Sequence, residues 1–150
     1  MKFLSDQMLG TLAKWLRIYG FDTYFADYEI SDDELLKISK KEKRILLTKD
    51  KMLIEKAKKQ KLKVIKINST KLDDQLKEVL KDAKINKKLF LTRCLICNNP
   101  LAEIKKESVK GKVPKKVFEN NQEFYYCNKC NKIYWKGTHY DKMKKDIKSF

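Results

Sequence analysis

Arg44-Ile45-Leu46-Leu47-Thr48-Lys49-Asp50 is the stretch that decides the architecture. Ile45–Thr48 is a continuous apolar run of strand length, and a helical pattern follows through Met52, Leu53, Ile54 and Ala57. An uninterrupted apolar run fits a strand covered on both faces, as in a parallel sheet, rather than one with a solvated face. The same alternation recurs on both sides. Upstream, Lys2-Phe3-Leu4-Ser5 is a short strand candidate, and Met8, Leu9, Leu12, Ala13, Leu16 and Tyr19 follow at helical spacing until Gly20 offers a cap. Thr23-Tyr24-Phe25 favours strand, and Ser31-Asp-Asp-Glu34 is a capping box that opens a helix through Leu35, Leu36 and Ile38. Downstream, Val64-Ile65-Lys66-Ile67 repeats the strand pattern, before a helix through Leu72, Leu76, Val79 and Leu80. Strands alternating with helices predict right-handed βαβ crossovers and an α/β domain with a mainly parallel sheet.

Beyond Asn86 the pattern changes. Helical periodicity stops, Pro100 and Pro114 appear, and the β-type stretches Phe124-Tyr125-Tyr126 and Lys132-Ile133-Tyr134-Trp135 flank cysteines. The four cysteines stand as two matched pairs, Cys94-Leu-Ile-Cys97 and Cys127-Asn-Lys-Cys130. Two such turns offer four thiolates, enough for a tetrahedron around one zinc ion. The expected organisation is an α/β domain over residues 1–90 and a small zinc ribbon over residues 91–150. So short a ribbon buries little core unaided, and structural zinc supplies on the order of 10–16 kcal/mol.

The net charge is +16. Residues 1–90 hold 22 Lys/Arg against 14 Asp/Glu, and residues 91–150 hold 14 against 6, so the excess spans both parts. Such a field favours a polyanion, although a solvated lysine-rich surface produces the same count. No apolar run approaches the roughly 20 residues needed to cross a bilayer. The opening Met1-Lys2-Phe3-Leu4-Ser5-Asp6 reaches an aspartate before a signal-peptide core can form. The expectation is a cytoplasmic protein without a membrane partner, where paired cysteines mean metal more often than disulfide.

Ligands of open α/β sheets gather beyond the carboxyl ends of the strands. Asp6 follows the first strand, Asp50 the third, and Asp32 and Asp33 begin the helix after the second. Clustered carboxylates suit a hard cation such as magnesium or manganese, and one or two such ions support in-line displacement at a phosphodiester. Each of these acids also has a plain structural reading as a helix cap or first-turn residue. Lys14 and Arg17 lie off the apolar stripe of the first helix and are candidate phosphate contacts. The sole histidine, His139, is a candidate RNA contact or catalytic aid, since four thiolates leave zinc no opening for it. Tyr125, Tyr126, Tyr134, Trp135 and Tyr140 suit base stacking, but a ribbon this small needs most of them as core.

Several motifs occur together and in order: Phe3-Leu4-Ser5-Asp6-Gln7-Met8-Leu9-Gly10, Leu12-Ala13-Lys14-Trp15-Leu16-Arg17, and Tyr19-Gly20-Phe21-Asp22. They continue with Arg44–Asp50, Gln75-Leu76, Arg93-Cys94-x-x-Cys97-Asn98, Val113-Pro114, and Cys127-x-x-Cys130 leading into Tyr134-Trp135-x-Gly137-x-His139. Over essentially the whole chain, the sequence resembles a PIN-like ribonuclease family, the domain found at the C-terminus of mutator-seven exonucleases and as a stand-alone protein. The resemblance implies a three-layer α/β/α nuclease domain with an appended zinc ribbon and metal-dependent cleavage of RNA. Asp6 and Asp50 would be metal-site carboxylates, Asp32 or Asp33 the next candidate, and Lys49 a phosphate-facing cation where the family leads one to expect arginine. Asn68-Ser69-Thr70 stands where some relatives carry a further acid, and Asp73 and Asp74 come a helical turn too late to replace it. The alternatives are a catalytically inactive RNA-binding protein associated with ribosome or tRNA, and a toxin of a toxin–antitoxin pair.

Overall fold

Successive residues of a strand point to opposite faces of its sheet, and Phe3 and Leu4 divide the core on that rule. In the computed structural model, which describes residues 1–26 and 28–137, four strands lie parallel: β1 (Lys2–Ser5), β2 (Asp22–Phe25), β3 (Ile45–Thr48) and β4 (Val64–Lys66). Their order is β2-β1-β3-β4. Between and after them run α1 (Gly10–Ile18), α2 (Asp32–Glu42), α3 (Lys51–Lys59) and α4 (Leu72–Leu80). Phe3 and Leu47 join Leu12, Leu16, Leu76 and Val79 on the face covered by α1 and α4. Leu4 and Leu46 join Leu35, Leu36, Leu53 and Ala57 on the face covered by α2 and α3. The result is the expected three-layer α/β/α domain. Ser31 caps α2 as its sequence predicts, accepting the Glu34 N–H at 3.2 Å.

The strand order fixes where a ligand can sit. The chain steps from β1 to β2 on one side, then crosses to β3 on the other. Connections from β1 and β3 therefore diverge to opposite sides, leaving a crevice at their carboxyl ends.

The second sheet is antiparallel: β5 (Ala102–Ile104), β6 (Phe124–Cys127) and β7 (Lys132–Trp135), in that order. Two short helices, α5 (Lys106–Val109) and α6 (Lys115–Asn120), fill the connection from β5 to β6. With 4 and 6 residues they are too short to print a helical period in the sequence.

The chain does not simply leave the first unit at residue 90. Phe90 is wholly buried, its ring edge-on to Tyr19 at 5.5 Å, and Leu91 and Leu95 pack on the same cluster. The Leu91 N–H closes onto the Ile18 carbonyl at 2.9 Å. Gly20 makes this approach possible. It has φ +91°, and a Cβ there would stand 2.3 Å from the Leu89 carbonyl oxygen. Gly20→Ala should therefore lower unfolding stability by about 2–4 kcal/mol, from left-handed strain and the backbone clash together. Urea denaturation checks this, and a loss below about 0.5 kcal/mol, the range of neutral surface changes, would contradict the packing described.

Candidate functional site

Asp6 comes directly after β1, and its side chain is engaged at both oxygens. Oδ1 accepts the Met8 N–H at 2.9 Å, capping a short 3-10 turn (Gln7–Leu9), and Oδ2 accepts the Thr48 hydroxyl at 2.5 Å. Thr48 ends β3 and is wholly buried. Its Oγ1 also accepts the Asp50 N–H at 3.1 Å, so one hydroxyl ties the Asp6 carboxylate to the Asp50 backbone. Asp50 in turn caps α3, its Oδ1 accepting from Met52 N at 2.9 Å and Leu53 N at 3.3 Å. The Asp6 carboxylate and the Asp50 backbone are thus tied to one hydroxyl at the carboxyl ends of β1 and β3.

The other expected acids stand apart from this linkage. Asp32 pairs with Lys56 at 3.3 Å, with both side chains more than a third exposed, and Asp33 is exposed in the first turn of α2. An exposed pair of this kind contributes at most about 1 kcal/mol. Glu78 on α4 carries an acid to the end of β4 that the sequence reading missed. Its carboxylate accepts from Asn68 N at 2.8 Å, Ser69 N at 3.0 Å and the Ser69 hydroxyl at 2.5 Å. Its separation of ten residues from Asn68 left no local motif to find.

Of the expected phosphate contacts, Lys14 and Lys49 are exposed. Arg17 corrects its expectation. It is 7% exposed, donating from Nε to Thr23 O at 3.0 Å and from Nη1 to the carbonyls of Leu95 and Ile96 at 2.9 and 3.1 Å. Its guanidinium holds the first cysteine turn against the sheet instead of facing solvent. His139 lies outside the described residues.

All three arginines of the chain serve this junction. Arg44 donates to Asp22 Oδ1 at 2.8 Å, Asn98 Nδ2 donates to the same oxygen at 2.7 Å, and Arg93 approaches Oδ2 at 3.9 Å. Asn98 Oδ1 accepts the Thr23 N–H at 3.0 Å. Side chains from the ribbon and α1 thereby occupy backbone groups that edge strand β2 would otherwise present to another chain. Burial works against the Asp22 carboxylate, but the Asn98 amide, Arg44 and Arg93 outweigh it and hold its pKa below the usual value.

The Sγ atoms of Cys94, Cys97, Cys127 and Cys130 all lie within 4.8 Å of one another, with Cys97 and Cys127 at 3.4 Å. A tetrahedral zinc site with Zn–S of about 2.3 Å has S···S edges of about 3.8 Å, so the four sulfurs fit one zinc ion. Each turn closes the same way: Asn98 N donates to Cys94 O at 2.9 Å and Asn131 N to Cys127 O at 2.8 Å, both asparagines being left-handed at φ 70° and 54°. Asparagine tolerates that conformation better than most residues. Burial pushes the Cys94 thiol up, but the Tyr134 hydroxyl and the Cys97 and Ile96 N–H groups outweigh it and bring it down to about 6. Burial, then the neighbouring sulfurs, push Cys130 up to about 12. The protons those sulfurs retain are released when zinc binds, because the ligand is the thiolate. Among the described residues, this is the only group of three or more metal-ligating side chains whose donors converge.

The fold and site define an open parallel-sheet α/β domain with two aspartates at its switch point and a four-cysteine ribbon docked on its edge strand. The model of the Mut7-C RNAse domain matches residues 1–147, and the chain belongs to that family. Neither the curated proteins nor the solved structures gave a match. The family points to nuclease activity, and among the described residues no helix is long and apolar enough to cross a membrane.

Two outcomes follow for the ribbon and its dock. Purified protein should carry one zinc per chain, and cobalt substitution should give the absorption of a tetrahedral thiolate site; Cys127→Ser should abolish both, and a full metal complement in that variant would refute the site. For Asp22, a lowered folded pKa gives stabilisation that is complete above the unfolded value of about 3.9 and is lost as pH falls through the folded one. The stability difference between wild type and Asp22→Asn should therefore stay constant from pH 7 to about 5 and shrink below about 4. Taking the difference cancels zinc loss common to both proteins. A gap that persists unchanged to pH 2.5 would contradict the assignment.

Proposed function

We propose that this protein is a divalent-metal-dependent ribonuclease cutting RNA phosphodiester bonds at the edge formed by Asp6, Thr48 and Asp50. The observation that carries the reading is the Thr48 hydroxyl joining the two aspartates at the β1/β3 switch point, in a chain of the Mut7-C RNAse domain family. In this reading residues 1–90 carry the chemistry and residues 91–150 form the ribbon, with structural zinc on Cys94, Cys97, Cys127 and Cys130.

The donors at the edge are all hard oxygens, which suits magnesium or manganese. Asp6 and Asp50 would hold such an ion. When bound, it would neutralise charge developing on the phosphoryl group and lower the pKa of a coordinated water. Thr48 fixes the orientation of Asp6, since rotation of that carboxylate breaks a buried hydrogen bond. The capping bonds to Met8, Met52 and Leu53 hold both acids in place without side-chain rearrangement. Lys49, between Thr48 and Asp50, and Lys14 draw the phosphate backbone toward the edge, and the cationic ribbon extends the attraction. Asp32 and Asp33 are the next candidate acids, once Asp32 is released from Lys56.

The second reading is an inactive nuclease fold that binds RNA, including ribosomal or transfer RNA. It is favoured by the capping bonds that Asp6 and Asp50 already accept, and by the absence of a third converging carboxylate among the described residues.

Incubation of labelled RNA with manganese separates the two. Wild type should cleave, and Asp6→Asn/Asp50→Asn should cleave at least about 100-fold more slowly while retaining salt-dependent binding. Equal cleavage by both proteins rejects the site; binding without turnover in any divalent metal establishes the second reading.

A further inference from the structure

Tyr134 sits where the two halves of the ribbon meet. It lies on β7, which pairs with β6 and so belongs to the hairpin that carries Cys127 and Cys130. Its hydroxyl reaches across to the first cysteine turn, 3.2 Å from Cys94 Sγ, and accepts the Leu95 N–H at 3.3 Å. The sequence leaves Tyr134 among the aromatics suited to core or base stacking, because these partners lie 40 and 39 residues away. Cys94 is wholly buried, so water does not reach its sulfur. The other buried sulfur, Cys127, takes a backbone donor, the Cys130 N–H at 3.4 Å.

From this we infer that Tyr134 is a positioning residue of the zinc site, donating its hydroxyl proton to the Cys94 thiolate and so strengthening the hold of the ribbon on its metal. The inference rests on the zinc ribbon and adds to its four sulfurs the side chain that tunes one of them. A thiolate ligand carries no proton, so its hydrogen bond with Tyr134 runs from hydroxyl to sulfur. The Leu95 N–H occupies an oxygen lone pair and leaves the hydroxyl proton for that bond. Donation draws negative charge off the sulfur and serves a buried anion that water does not reach. Charge withdrawal alone would weaken the metal–sulfur bond slightly. Orientation of the ligand and the cost of leaving a buried anion short of a donor outweigh it. Leu95 is gripped from the other side as well: Arg17 of α1 donates to its carbonyl at 2.9 Å. The first turn is therefore pinned between the α/β domain and β7 by bonds that need no metal, and Tyr134 brings the second cysteine pair to a turn already in place.

The test compares wild type, Tyr134→Phe and Tyr125→Phe as whole chains. Tyr125 is the cross-strand neighbour of Tyr134, but its hydroxyl donates to Glu123 at 3.1 Å, so it controls for loss of a hydroxyl on the same sheet. Zinc affinity is read by competition with a chromophoric chelator, and charge on the sulfur by the sulfur-to-cobalt absorption of the cobalt-loaded proteins. Tyr134→Phe should bind zinc about 10–100-fold more weakly, and its absorption band should move to longer wavelength because the sulfur keeps more negative charge. Tyr125→Phe should match wild type in both. An unmoved band overturns the inference, since a tyrosine that only packs would leave it in place. Zinc affinity within about threefold of wild type overturns it too. Wild type labelled with 3-fluorotyrosine gives a second reading that does not depend on the variant folding. Its more acidic hydroxyl donates more strongly, so the band should move to shorter wavelength, and a band that stays put contradicts the assigned bond. Failure of the zinc reading is separate: there, wild type takes up neither zinc nor cobalt.

Discussion

One buried hydroxyl, that of Thr48, holds together the part of the molecule where chemistry is expected. A threonine side chain can donate and accept at once, and here it donates to the Asp6 carboxylate while accepting the Asp50 N–H. An apolar side chain at this position would do neither, and an ionised carboxylate could only accept. The strand order makes the bond possible. Because β1 and β3 are parallel neighbours, their carboxyl ends finish side by side, and the connections diverge to leave that end open.

The opposite flank of the sheet is held differently. Edge strand β2 is closed by the first cysteine turn, through Asp22, Asn98 and the guanidinium groups of Arg17, Arg44 and Arg93. Arginine suits this role because its planar fork presents five N–H donors in a fixed geometry to carbonyl and carboxylate acceptors, whereas lysine carries three on a flexible stem. The chain uses lysine for its solvated charge and keeps its arginines for the dock. Zinc on the four sulfurs would therefore order more than the ribbon. It would fix the carbonyls of Leu95 and Ile96 that Arg17 grips, and through Arg17 the end of α1.

Local rules carried far in the sequence. Ile45–Thr48 reads as a buried strand because its apolar run is unbroken, and Ser31 reads as a cap because its partner lies three residues on. The cysteine turns were legible from spacing alone. Arg17 was not, because the carbonyls it binds lie 78 and 79 residues away, so its helix position suggested a solvated face. Met8 and Met52, both exposed, were misplaced for a related reason: periodicity assigns an apolar residue to a stripe even where the first turn directs it outward. Glu78 left no signature, since its partners are two backbone N–H groups and one serine hydroxyl of a loop nine and ten residues away. Of the candidate acids, the sequence marked Asp6 and Asp50 by their positions after strands, but the threonine linking them became visible only through the geometry.

A manganese titration of the zinc-loaded protein, followed by paramagnetic broadening of backbone amide signals, tests the central claim most directly. The account predicts that the amides of Met8, Asp50 and Met52 broaden first, at substoichiometric manganese, and that those of β5 to β7 stay sharp. Uniform broadening, or broadening centred on any other part of the molecule, would contradict the placement of a divalent cation between the ends of β1 and β3.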